Sequence, residues 1–171
     1  MEGRADIVLI GMPGCGKSTV GKRLSFLLRR GFLDLDKEIE CYSGKTVTEI
    51  FAEQGEDGFR KMETEVLERS LQGGRVISAG GGIVVRRENK ELLQNSIVVY
   101  LDRPLSLLKQ KIKTETRPLL QTGTDALEQL WEQRKDAYGS WADIRVENTG
   151  SVEDAAQRIK QEVQKYENHR D

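Results

Sequence analysis

Residues 11–19 read GMPGCGKST, directly behind the apolar run Ile7-Val8-Leu9-Ile10 and ahead of Val20, Leu24, Leu27 and Leu28. No other stretch constrains the fold as strongly. Four aliphatic residues ending at a glycine predict a short buried strand, and the apolar series at i, i+4, i+7, i+8 predicts an amphipathic helix. Between them, Gly11, Gly16, Lys17 and Ser18 satisfy the G-x-x-x-x-G-K-[ST] spacing of a phosphate-binding loop. Glycines let the backbone turn successive N–H groups inward, and the helix start adds a partial positive charge, so the corner forms an anion cradle. Lys17 is placed to reach β- and γ-phosphates, and the Ser18 hydroxyl to ligate a bridging Mg²⁺. Gly14, Cys15, Gly16, Lys17, Ser18 and Thr19 are the expected nucleotide contacts.

Other readings of this stretch fail on spacing. Gly14-Cys15-Gly16 would open a dinucleotide G-x-G-x-x-G fingerprint, but its third glycine position is Thr19. No arginine follows Cys15 closely enough to make it a phosphate-handling thiol. Asn89-Lys90-Glu91-Leu92 lacks the aspartate of a guanine-reading Asn-Lys-x-Asp, so ATP is the expected nucleotide.

Alternating strands and helices predict a doubly wound parallel sheet. Strands are expected near 7–10, 32–36, 75–79, 96–101 and 144–146. Helices are expected from 17, then at 37–42, 47–53, 58–71, 104–113, 125–137 and 151–166. The stretch TETRPLLQTGT is long enough for a mobile loop, and its Arg117, held out of helical geometry by Pro118, suits closure over a transferring phosphate. A chain of 171 residues predicts one domain. Its net charge of −1 offers no footprint for nucleic acid or an anionic membrane, and points to a small soluble substrate. Two cysteines without metal spacing, and no stretch resembling a signal peptide or membrane span, predict a cytoplasmic protein. The single histidine, His169, lies in a charged tail and is no candidate for catalysis.

Ligands of open parallel sheets bind beyond the carboxyl ends of the strands. There the sequence places Asp34 and Asp36, suited to holding Mg²⁺ through water or orienting a phosphoryl acceptor, with a solvated helix cap as the alternative. It also places Gly80-Gly81-Gly82, where backbone can approach a ligand, or form an ordinary loop. Asp102 imitates a metal-holding aspartate at a strand end, but the following Arg103-Pro104 makes a helix cap the better reading. Arg60 and Arg134 lie among charged residues, where periodicity alone predicts surface ion pairs.

Together, the phosphate loop, Asp34-x-Asp36, GFR at 58–60, SAGGG at 78–82, RPLL at 117–120, and Arg134 with Tyr138 resemble shikimate kinase. The order and spacing match across nearly the whole chain. The resemblance implies a three-layer P-loop kinase fold: an α/β architecture with a five-stranded parallel sheet of order 2-3-1-4-5, a lid at about 113–124 and a substrate-binding segment at about 34–61. It implies phosphoryl transfer from MgATP to the 3-hydroxyl of shikimate by a monomer. By the same resemblance Asp36 holds the substrate hydroxyls or acts as base, and Asp34 sits near Mg²⁺. Arg60 and Arg134 grip the carboxylate, Gly81 and Gly82 approach the substrate through their backbone, and Arg117 is the lid cation. The approach KQKIKTET departs from the family in lacking an arginine beside the adenine, which leaves Lys109, Lys111 and Lys113 as substitutes. A gluconate-type sugar-acid kinase and a non-catalytic ATP sensor are the alternatives. Retention of Lys17, Ser18, Asp36 and Arg117 favours catalysis.

Overall fold

Strand β1 (Ile7–Ile10) has every residue buried. It pairs in parallel on both edges, with β3 (Arg75–Ser78) on one side and β4 (Ile97–Asp102) on the other, so that Ile7 stands between Val76 and Ile97 and Leu9 between Ser78 and Val99. A strand covered on both faces has no side to leave polar, which is why its sequence is continuously aliphatic rather than alternating. In the computed structural model, which describes residues 3–112 and 124–170, β2 (Gly31–Asp34) lies outside β3 and β5 (Ile144–Glu147) outside β4. The result is the expected five-stranded parallel sheet of order β2-β3-β1-β4-β5. Edge strand β5 alternates buried and exposed residues, as a strand with one open face does.

Parallel neighbours require crossovers, and helices supply them. They are α1 (Lys17–Leu28), α2 (Leu35–Ser43), α3 (Val47–Ser70), α4 (Arg87–Leu92), α5 (Leu105–Ile112) and α6 (Thr124–Trp141), while α7 (Val152–Arg170) follows β5. The chain leaves β1 toward β2 but leaves β3 toward β4, in the opposite direction. The carboxyl ends of β1 and β3 therefore flank the reversal point, where sheets of this kind open a ligand crevice.

The segments expected separately at 47–53 and 58–71 are two helical stretches that meet at the non-helical Gly55 (φ 71°, ψ −177°), labelled together as α3. A capping box starts it, with Thr46 Oγ1 accepting from the Glu49 amide and Glu49 Oε2 from the Thr46 amide. Across the break, Phe51 stacks on Phe59 with ring centroids 4.6 Å apart. Residues 81–92, for which periodicity predicts no helix, form a 3-10 turn (Gly81–Val85) followed by α4. Each is too short for a 3.6-residue period to register. Among the described residues no helix is long and apolar enough to cross a membrane.

The buried Asp6 joins the two sides of the sheet. Its carboxylate accepts from the Gly73 and Arg75 amides at 2.8 and 2.9 Å, and its carbonyl from Ile97 N at 2.8 Å. Asp6→Ala leaves two amides without an acceptor and is expected to lower unfolding stability by about 1–3 kcal/mol. Urea denaturation checks this; a loss under about 0.5 kcal/mol, the level of an ordinary surface substitution, would contradict it.

Candidate active site

At the start of α1 the first N–H groups have no partner within the helix, and the cap residue Gly16 supplies no side-chain acceptor. Gly16 sits at φ 97°, which a side chain would strain, and this turn aims the helix start into the crevice. The loop is braced from two directions. Lys17 Nζ donates to the Gly11 and Met12 carbonyls at 2.8 and 2.9 Å, and Asn148 Nδ2, just beyond β5, donates to the Cys15 carbonyl at 2.8 Å. The Cys15 thiol is buried and its amide donates to Met12 O at 3.1 Å, so Cys15 offers the crevice neither group.

A cleft of about 260 Å³ opens in front of this corner. Of the residues singled out in the sequence, Gly14, Gly16, Lys17, Ser18, Thr19, Asp34, Asp36, Arg60, Gly81 and Gly82 line it. Arg134 is buried and does not line it, and Arg117 lies outside the described residues, as do positions 113–123 of the expected lid.

Asp34 ends β2 and caps α2, accepting from the Asp36 amide through Oδ1, while its Oδ2 accepts from Ser18 Oγ at 2.8 Å. It is thus Asp34, not Asp36, that takes the helix-cap role, and Asp36 stands in the first turn of α2 rather than on the strand. Burial, reinforced by the neighbouring Asp34 charge, raises the Asp36 pKa, against the opposing pull of Lys17 and Arg60. Ser18 Oγ also lies 3.3 Å from Ser78 Oγ. This donor set suits Mg²⁺, which takes one or two protein oxygens and fills its octahedron with phosphate and water. No group of three or more His, Cys, Asp or Glu side chains that could hold a metal ion occurs among the described residues.

Arg60 and Arg134 overturn the surface ion-pair expectation: both are buried. Arg60 Nη1 donates to Glu63 Oε1 at 3.0 Å, one turn along α3. A Cβ at Gly82 would lie 2.2 Å from the guanidinium, so the Gly82 position must lack a side chain for Arg60 to lie where it does. A Cβ at Gly80 would meet Asp36 Oδ1 and Glu63 Oε2 at 2.9 and 3.0 Å, which locates both carboxylates against one backbone point. Tyr138, one turn after Arg134 on α6, donates to the Gly81 carbonyl at 2.5 Å. Arg60 Nε and Nη2 and Arg134 Nη1 are buried without a hydrogen-bond acceptor among the described residues. Buried cationic donors left open beside a cleft mark a place for an anionic partner.

Asp102 plays no part in this cleft. Arg145 pairs with its Oδ2 at 2.5 Å and Tyr100 donates to its Oδ1 at 3.3 Å, which leaves the carboxylate to serve neither a metal nor a helix cap.

The family model for shikimate kinase matches residues 13–164. This chain belongs to the shikimate kinase family. It is 45% identical over 145 residues to shikimate kinase of Synechococcus elongatus, covering 82% of this chain and 76% of that protein. It is 38% identical to the Clostridium beijerinckii shikimate kinase over 92% and 94% of the two chains. A bifunctional shikimate kinase/3-dehydroquinate synthase of Thermotoga maritima matches at 43% identity, and there the match spans 28% of the relative's length. Among solved structures, shikimate kinase from Acinetobacter baumannii in complex with shikimate superposes with a TM-score of 0.91 at 40% identity, over 96% of each chain. A gluconokinase from Sinorhizobium meliloti shares the fold at TM-score 0.63 and 17% identity, which speaks for architecture alone.

Several contributors to this shikimate kinase site escape a sequence reading. Glu63 and Asn148 carry no motif of their own, and only Glu63 leaves a trace, three residues after Arg60 and so on the same helix face, while Ser78 opens the SAGGG motif without being singled out as a site residue. Of the lysines considered for the missing arginine, Lys109 pairs with Glu128, Lys111 lines the cleft with Nζ 3.4 Å from the Gly14 carbonyl, and Lys113 lies outside the described residues.

Glu63 is fully buried, and burial, with Asp36 adding to it and Arg60 opposing, raises its pKa from 4.5 to about 7. Folded protein therefore keeps this proton where unfolded chain has released it. The stabilisation is complete below about pH 4.5 and is lost as pH rises toward 7. Denaturation of the parent and of Glu63→Gln across this range is expected to show the variant gaining on the parent by a few kcal/mol as pH rises. A difference independent of pH would contradict the assignment.

Proposed function

We infer that this chain transfers the γ-phosphoryl group of ATP to the 3-hydroxyl of shikimate, giving shikimate 3-phosphate and ADP. The observation that carries the reading is the joining of two unlike sites in one cleft. A phosphate cradle around Lys17 and Ser18 faces a second half made of Asp36, Arg60 and the Gly80–Gly82 backbone, suited to a hydroxylated carboxylate. Shikimate has that chemistry, with a planar carboxylate for an arginine fork and hydroxyls for a carboxylate acceptor. Family membership supports the same choice of substrate.

In this reading the α1 N-terminus and Lys17 hold the β- and γ-phosphates, with Lys17 exchanging its loop carbonyl partners for phosphate oxygens. Lys111, beside Gly14, takes the place of the family's adenine-side arginine. Ser18 Oγ and Asp34, the latter directly or through water, hold Mg²⁺, which when bound neutralises phosphate charge developing in transfer. Arg60 and Arg134 bind the shikimate carboxylate, and the Gly81 and Gly82 backbone lies along the ring. Asp36 orients the 3-hydroxyl and accepts its proton as the oxygen attacks phosphorus. The new O–P bond forms, the bond from phosphorus to the β,γ-bridging oxygen breaks, and ADP departs with that electron pair.

ATP consumption measured with shikimate, quinate and gluconate tests the reading; turnover with gluconate but not shikimate overturns it. Lys17→Ala removes a charge that stabilises the transition state and is expected to lower kcat/KM by more than about tenfold, the equivalent of 1.4 kcal/mol.

Two further classes of variant separate capture from chemistry. Arg60→Ala and Arg134→Ala remove contacts made equally in ground and transition states, each worth roughly 1.5–3 kcal/mol, so KM for shikimate should rise by about one to two orders of magnitude. Asp36→Asn keeps the shape but not the proton acceptor, and should cost roughly 10²–10⁴ in kcat. Steady-state kinetics in which the arginine variants lose mainly kcat, or Asp36→Asn loses only KM, would reverse these assignments.

A further inference from the structure

The Arg60 guanidinium has two edges with different fates. Nη1 is committed to Glu63 Oε1 at 3.0 Å. On the opposite side, Nε and Nη2 are buried and make no hydrogen bond. That is the pair of donors a planar carboxylate can grip with both oxygens. Yet a carboxylate already stands close by: Glu56 Oε1 lies 3.5 Å from Nε, near enough for charge attraction and outside hydrogen-bond geometry. Glu56 follows the break at Gly55 and precedes Arg60 by one helical turn. Its side chain is 55% exposed against 5% for Arg60, so water competes for the glutamate but not for the arginine.

We propose that Glu56 sets how tightly the site holds a carboxylate: its own carboxylate occupies the Nε side of Arg60 as an internal competitor that the incoming substrate must displace. The proposal rests on the reading of Arg60 as the grip for the substrate carboxylate. A buried guanidinium with an open fork would attract any small carboxylate present. The neighbouring Glu56 charge lowers the potential there for every anion by a similar amount. A bare carboxylate has only the fork with which to repay that penalty. A substrate that also presents hydroxyls to Asp36 and ring surface to the Gly81–Gly82 backbone has other contacts to set against it. Glu56 thus weakens every carboxylate by a similar factor relative to an uncharged ligand, and a carboxylate with further contacts still binds. Displacement needs no unfolding, because the half-exposed glutamate can turn into water.

The test uses the full chain with Glu56→Gln and Glu56→Ala. Relative to the parent, KM for shikimate is expected to fall by about two- to fivefold, the range of a half-exposed ion pair, with kcat within about twofold. The inhibition constant of benzoate, a planar carboxylate without hydroxyls, should fall by a similar factor. KM for shikimate methyl ester, which lacks the charge, should stay unchanged. A KM for shikimate that is unchanged or raised overturns the proposal, the latter by showing that Glu56 holds Arg60 in place. Equal shifts for the acid and the ester also overturn it, since a general change of site structure would act on both. Calorimetric titration of the parent and variants with benzoate reads the competition without turnover. Tighter benzoate binding in the variants with no shikimate turnover in the parent would uphold the competitor and reject the assigned reaction.

Discussion

The turn from β1 into α1 is the constraint on which the site depends. β1 is hydrogen-bonded on both edges and buried on both faces, so the direction in which it ends is set by the whole sheet. Gly16 then aims the start of α1 into the crevice at a backbone angle that other residues avoid. The free N–H groups there are a standing demand for an anion. Asn148 reaches the loop from beyond the far edge strand and Lys17 folds back onto it, so the cradle is held rigid by groups from both ends of the sequence. Preorganisation of this kind lets fixed dipoles act on a phosphate without reorganising when charge moves.

The second half of the cleft solves a different problem, that of burying a guanidinium. An unpaired buried charge is costly, and Arg60 is tolerated because Glu63 takes one edge while Gly82 leaves space for the plane. The same solution sets Asp36 between Asp34 and Glu63, and burial, with the neighbouring carboxylate charge added, raises the pKa values of Asp36 and Glu63. Tyr138, donating to Gly81 O, ties this cluster to α6 and so to Arg134. The glycine run is therefore as much a packing device as a binding one.

Much of this was legible beforehand because the relevant signals are local. The strand, glycine loop and helix around residues 7–28 follow from aliphatic runs, glycine spacing and helical periodicity, each confined to a few neighbours. Sheet order came from the resemblance carried by six short motifs, and not from periodicity, which says nothing about which strand pairs with which. The two helix segments on either side of Gly55 are likewise present, divided by its non-helical backbone, while the stacking of Phe51 on Phe59 across the break is a contact the sequence did not announce.

Local chemistry, then, was decided by sequence: where the glycine loop forms its cradle, which residues carry charge and proton affinity, and which strands are covered on both faces. Tertiary structure alone decided the state of those groups. Arg60 and Arg134 look like surface residues in a charged helical pattern, yet both are buried, and Asp102 reads as a helix cap that imitates a metal ligand, yet Arg145 and Tyr100 take its carboxylate. Burial and charge pairing depend on residues far apart in the chain. Asn148 on the Cys15 carbonyl, 133 positions away, is contact information that no window of sequence contains.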